Sequence, residues 1–160
     1  MFSARDPEDL ERFFRGLAEH AFHGRLGVVD PPLVDYVSDL LVRFLRNETS
    51  GSGPERLPEE RPGDVVARML AVVHRQPVGQ SADDYRRIGD YTLFWSGVYP
   101  EAVRQRQPID FRATGKRAYR LAGVLEPETA VAERELFERL SVEFDVCVAG
   151  LAEVRRAWAE

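Results

Sequence analysis

Asp90 is the residue best placed to do chemistry in this 160-residue chain. It stands in GDYTLFWSGVYPE, residues 89–101, beside Tyr91 and ahead of Tyr99, in a segment crowded with Leu93, Phe94 and Trp95. A carboxylate on a mostly apolar helix needs hydrogen bonds or a cation. The segment GKRAY and its flanks supply candidates: Lys116, with Arg112 and Arg120 one turn to either side, and Tyr119 three residues on. Two readings follow. One is a buried polar brace between two helices. The other is a pocket at Asp90, Tyr91, Tyr99, Arg112, Lys116 and Tyr119 that takes a small anionic or aromatic ligand. The brace is the simpler of the two.

Other reactive side chains offer less. His20 and His23 are three residues apart and could share a metal, but a closed site needs three or four ligands and the helix carries neither H-E-x-x-H nor E-x-x-H. His74 falls at a helix end, where its interaction with the dipole explains it. Cys147 is the single cysteine, so an intrachain disulfide is impossible; in FDVCVAG it sits at a core position where a thiol is inert. Ser96 in WSGVY is not in a nucleophile elbow. SGSG at 50–53 runs into a proline-rich stretch rather than a helix start, so it is no phosphate loop. No catalytic residue, metal site or cofactor is expected.

Charge is divided along the chain. Between residues 104 and 120, Arg104, Arg106, Arg112, Lys116, Arg117 and Arg120 face only Asp110. Residues 126–160 carry nine acids against four arginines. These surfaces are expected to pair within the fold or across a homodimer; the alternative is an anion site or an acidic protein partner. Net charge is −5, which argues against nucleic acid as a partner. The start MFSARDPEDL has no apolar stretch and no run approaches 18 apolar residues, so neither a secretory signal nor a membrane span is expected. A soluble, cytoplasmic protein fits these features.

The elements that must position Asp90 read as helices. Pro7, Glu8 and Asp9 open the first behind Asp6, with Leu10, Phe13, Phe14, Leu17, Ala18 and Ala21 on one face and Gly24 or Gly27 as its stop. Asp30-Pro31-Pro32 opens the second, whose stripe is Leu33, Val34, Val37, Leu40, Leu41, Phe44 and Leu45. Residues 48–63 read as a flexible loop rich in Gly, Ser, Pro and Glu. A short third helix carries Val65, Val66, Met69, Leu70 and Val73 inward. Ser81 caps a fourth with Asp84 at the capping-box position, and Pro100 ends it. Its two stripes (Tyr85, Ile88, Thr92, Trp95, Tyr99 and Tyr91, Phe94, Val98) wrap most of the helix, and Gly89 and Gly97 let neighbours approach. Asp110 caps a fifth that closes near Gly123. Pro127 opens a long C-terminal helix in which Phe137, Leu140, Phe144, Cys147, Leu151, Val154 and Trp158 form a heptad seam. No segment alternates with period two, so no sheet is expected.

The pattern G-D-Y-x-L-F-x-S-G-x-Y-P-E, with G-K-x-A-Y about fifteen residues on and F-E-R-L-S-x-x-F in the last helix, resembles uncharacterised bacterial all-helical proteins of unknown function. The resemblance covers residues 81–158 and implies the helical fold without an activity. The expectation is therefore one all-α domain over 1–160, a bundle of about six helices centred on the fourth and the last. Its expected role is a non-catalytic interaction or oligomerisation module. A small-ligand binder, with its pocket between the helices at 81–99 and 110–122, is the alternative, and an enzyme of unknown class ranks third.

Overall fold

A computed structural model of the chain describes residues 7–50, 60–76, 80–103 and 109–159. Among these the architecture is all-helical. The order is α1 (Pro7–Glu19), a π-helical turn (His20–Arg25), α2 (Pro31–Ser50), α3 (Pro62–His74), α4 (Ala82–Val98), the single turn α5 (Pro100–Val103), α6 (Phe111–Leu125), α7 (Val131–Val142) and α8 (Phe144–Ala159). Eight helices thus replace the expected six among the described residues. The expected loop at 48–63 is shortened from both ends by α2 and α3, and residues 51–59 lie outside the described residues, as does the expected cap Asp6.

Local chemistry sets most of the boundaries. Asp30 caps α2, accepting from the Leu33 N–H at 3.3 Å. Ser81 and Asp84 close a reciprocal capping box on α4, each backbone N–H donating to the other side chain at 3.2 Å. Asp110 caps α6 by accepting from the Ala113 N–H at 3.1 Å. Gly27 leaves the first helical run with φ +66°, a conformation glycine adopts without steric cost. At the end of α4, Arg155 donates to the Val98 carbonyl at 2.8 Å, satisfying an oxygen the helix leaves open.

The C-terminal helix is not continuous. It breaks at Glu143 (φ −98°, ψ 19°), and α2, not the last helix, is the longest. The chain there contains neither proline nor glycine. The break follows from packing: α7 lies against α6, whereas α8 lies mainly against α4. Re-aiming the chain takes one residue, because Glu143 N–H still bonds to Arg139 O and Cys147 N–H to Glu143 O. The start also moves, since Pro127–Ala130 form a turn closed by Ala130 N–H to Pro127 O, and helix begins only at Val131.

α4 occupies the centre. Every residue from Ile88 to Val98 is buried, with α2, α3, α6 and α8 packed around it. The heptad seam turns inward: Phe137, Leu140, Phe144, Cys147, Leu151 and Val154 are all buried in the core, and Trp158 packs against it. The stripe of α2 is buried in full. Close approach depends on missing β-carbons. A methyl on Gly89 would stand 2.7 Å from the Tyr119 ring, on Gly97 2.6 Å from Leu151, on Gly115 2.5 Å from Phe144, and on Gly150 2.2 Å from Phe22.

These contacts give a graded expectation. Gly115→Ala should lower the unfolding free energy by about 1–3 kcal/mol, because its methyl meets both Phe144 and the Thr92 hydroxyl oxygen. Gly16→Ala, with nothing within 4 Å, should instead be neutral or stabilising by up to about 1 kcal/mol. Urea denaturation of both variants checks this; equal effects would contradict it.

Candidate functional site

Asp90 is 1% exposed, and its two oxygens are divided between two kinds of donor. Tyr36 and Tyr119 each donate their hydroxyl to Oδ1 at 2.7 Å. Arg86 and Arg43 donate to Oδ2 at 3.2 and 3.3 Å. A carboxylate offers about four lone-pair positions, so this one is saturated. The cluster joins three helices: α2 through Tyr36 and Arg43, α4 through Asp90 and Arg86, and α6 through Tyr119.

The local structure explains each reach. Leu33, Tyr36, Leu40 and Arg43 step by three and four along α2 and share a face, so the tyrosine and the arginine arrive together. Arg86 precedes Asp90 by one turn of α4 and is itself held by Asp83. Tyr119 crosses α4 at Gly89, whose missing side chain leaves room for that ring. Around the polar centre the rings are packed: Tyr119 stacks on Phe137, with Tyr36 edge-on to both.

Electrostatics match a closed site. Burial pushes the Asp90 carboxyl above the ordinary range, against Tyr119, Arg43, Tyr36 and Arg86, which all favour its ionised form. Burial and the nearby Asp90 charge push both Tyr119 and Tyr36 upward, so each phenol keeps its proton and donates. Burial works against the Arg86 charge, but Asp83 and Asp90 outweigh it and hold the guanidinium more firmly protonated.

The expected cations are elsewhere. Lys116 and Arg112 do not hold Asp90; they clamp Asp145 of α8, Lys116 to Oδ2 at 2.6 Å and Arg112 to Oδ1 at 2.9 Å. Both project from the side of α6 facing α8, whereas Tyr119 faces α4. Lys116 first, then Arg112, hold the Asp145 carboxyl below the usual range. Part of the basic surface therefore pairs inside the fold; Arg104 and Arg106 lie outside the described residues.

Of the six residues picked from the sequence, Asp90 and Tyr119 meet, and Arg112 and Lys116 meet at a different carboxylate. Tyr91 is buried beside Phe44 and Trp95. Tyr99 lies against Trp95 with the Arg155 guanidinium 4.8 Å above its ring. Tyr36, Arg43 and Arg86 complete the cluster and were not anticipated. The spacing of Arg86 four residues before Asp90 was the one local signal for any of them.

The remaining chemistry is muted. Cys147 is buried and its thiol is pushed up to about 12 by burial, far from a reactive thiolate. His20 and His23 are both exposed, and no group of three metal-capable side chains occurs among the described residues. No described helix is long and apolar enough to cross a membrane.

Substitutions separate the buried cluster from the surface clamp. Asp90→Ala should cost about 3–5 kcal/mol, since it strands two phenols and takes a partner from two arginines. Tyr119→Phe should cost about 1.5–3 kcal/mol. Lys116→Ala removes a half-exposed pair and should cost less than about 1 kcal/mol. Chemical denaturation reads all three, and a Lys116 variant as damaging as the Asp90 variant would contradict the assignment.

The chain matches no protein-family model, no curated protein and no solved structure.

Proposed function

We propose that the chain is a non-catalytic helical interaction module that self-associates through the corner between α6 and α7. The observation that carries this reading is an apolar group left on the surface there. Val124 is 63% exposed, Leu125 41% and Val131 57%, at the end of one helix and the start of the next. Apolar side chains gathered in this way on a surface mark an interaction site more often than singly scattered ones.

Charge supports a second copy as the partner. On α6, Arg120 has no carboxylate partner among the described residues. On α7, Glu133, Glu135 and Glu138 are exposed and equally without a cation. The hairpin thus carries an apolar corner, one basic arm and one acidic arm. Such a surface is self-complementary under a two-fold axis, which sets each basic arm against the acidic arm of the other copy. The heptad seam of α7 and α8 is spent on the core, so association falls to this outer surface. Saturation of Asp90 supports the non-catalytic part of the reading, because its oxygens have no lone pair left for a substrate.

Sedimentation velocity of the full chain over a range of concentrations tests the proposal. A dimer is expected, weakened by added salt through screening of the rim charges. Val131→Glu should raise the dissociation constant at least about tenfold. A monomer at every concentration, or a dimer that Val131→Glu leaves intact, would overturn it.

A further inference from the structure

α3 packs on α4 and leaves a groove along each of its sides. The groove lined by Arg68, Arg87 and Asp84 carries both signs of charge, and Arg68 is already paired with Glu60. The other, between α3, α4 and α6, is different. It has a volume of about 190 Å³. Leu70, Ala118, Leu121 and the ring of Tyr85 give it apolar walls, and the Tyr85 hydroxyl is turned away to Gln80 at 3.1 Å. Its polar lining is Arg117, His74 and Thr114, with no acid among the described residues.

Three observations converge on the occupant. Arg117 has no carboxylate within ion-pair distance among the described residues, whereas its neighbours Arg112 and Lys116 are both spent on Asp145. Thr114, Arg117, Ala118 and Leu121 are spaced i, i+3, i+4 and i+7, so a single face of α6 presents the hydroxyl, the guanidinium and the apolar wall together. The cleft is open to solvent on the side of Arg117 and His74, and its volume is of the order that one ring occupies, an enclosed cavity of about 150 Å³ holding benzene.

We propose that this cleft binds a small monoanionic carboxylate with a one-ring apolar body. The carboxylate is held by Arg117, with N–H donation from His74 and the Thr114 hydroxyl beside it, and the ring lies between Leu70, Tyr85 and Leu121. A guanidinium and a carboxylate form two parallel charge-assisted hydrogen bonds, the geometry that makes arginine selective for this group. The site shares no residue with the α6–α7 corner, so its loss would leave self-association untouched.

The test uses benzoate, benzyl alcohol and inorganic phosphate as probes in an amide NMR titration of the full chain. Benzoate should shift the amides of Thr114, Arg117, Ala118 and Leu121 saturably. Benzyl alcohol, of similar shape but neutral, should bind about two- to fivefold more weakly, the worth of an ion pair made by an exposed guanidinium. Phosphate, which has no ring to bury, should be weaker than benzoate. Arg117→Gln should erase the preference for benzoate over benzyl alcohol, and Leu121→Trp, which fills the cleft, should abolish binding of both; Arg87→Gln, in the other groove, should leave benzoate binding unchanged. The two cleft variants act on separate halves of the site, so one that failed to fold would leave the other decisive. The proposal is overturned if benzoate gives no saturable shift at these amides, if benzyl alcohol or phosphate binds as tightly, or if a folded Arg117→Gln retains the preference.

Discussion

A carboxylate in the middle of a protein must be surrounded by donors, and the structure is arranged around meeting that demand at Asp90. Moving an ion of this size out of water costs several kcal/mol even after relaxation. Four hydrogen bonds offset the cost here, and their donors come from three helices. Hydrophobic burial is non-directional and, beyond the close glycine contacts, would tolerate some rotation or shift of α2 or α6. Hydrogen bonds from Tyr36, Arg43 and Tyr119 are directional and would not. The apolar stripes bring the helices together, and Asp90 selects their register.

That selection propagates outward. Tyr119 reaches Asp90 only because residue 89 lacks a side chain, and Phe144 seats beside Tyr119 only because residue 115 does. With α6 fixed, α7 folds back along it and α8 turns at Glu143 to cover α4. The ion pair from Arg139 to Asp30 at 2.8 Å then ties α7 to the start of α2. Asp90, Tyr36 and Tyr119 are thereby consumed in holding the bundle. Two features lie at the periphery: an apolar corner between α6 and α7, and a cleft beside α3 where Arg117 has no carboxylate partner among the described residues.

The sequence disclosed the helices more readily than it disclosed the contacts between them. Capping grammar located the starts of α2, α4 and α6, and the stripe of α2 is buried residue for residue. Asp90 stood out because a charge set between two apolar stripes needs an explanation, and Tyr119 was within the segment expected to supply it. The cations were assigned wrongly because Lys116 and Tyr119, though three residues apart, face different helices, and only the packing of α6 shows which side meets α4. Tyr36 and Arg43 lie about fifty residues upstream, and nothing in their local spacing points to Asp90. The break at Glu143 was equally invisible: the heptad runs through it unchanged, and only the separate partners of α7 and α8 impose it.

Tyr36 and Tyr119 hold one carboxylate oxygen jointly, so that α2 and α6 are coupled through α4. A double-mutant cycle with Tyr36→Phe, Tyr119→Phe and the combined variant, read by urea denaturation, measures that coupling directly. Residues sharing one hydrogen-bond network depart from additivity by about 0.5–3 kcal/mol, and a departure of that size is the result predicted here. Losses that sum to within about 0.3 kcal/mol, as for independent sites, would contradict the claim.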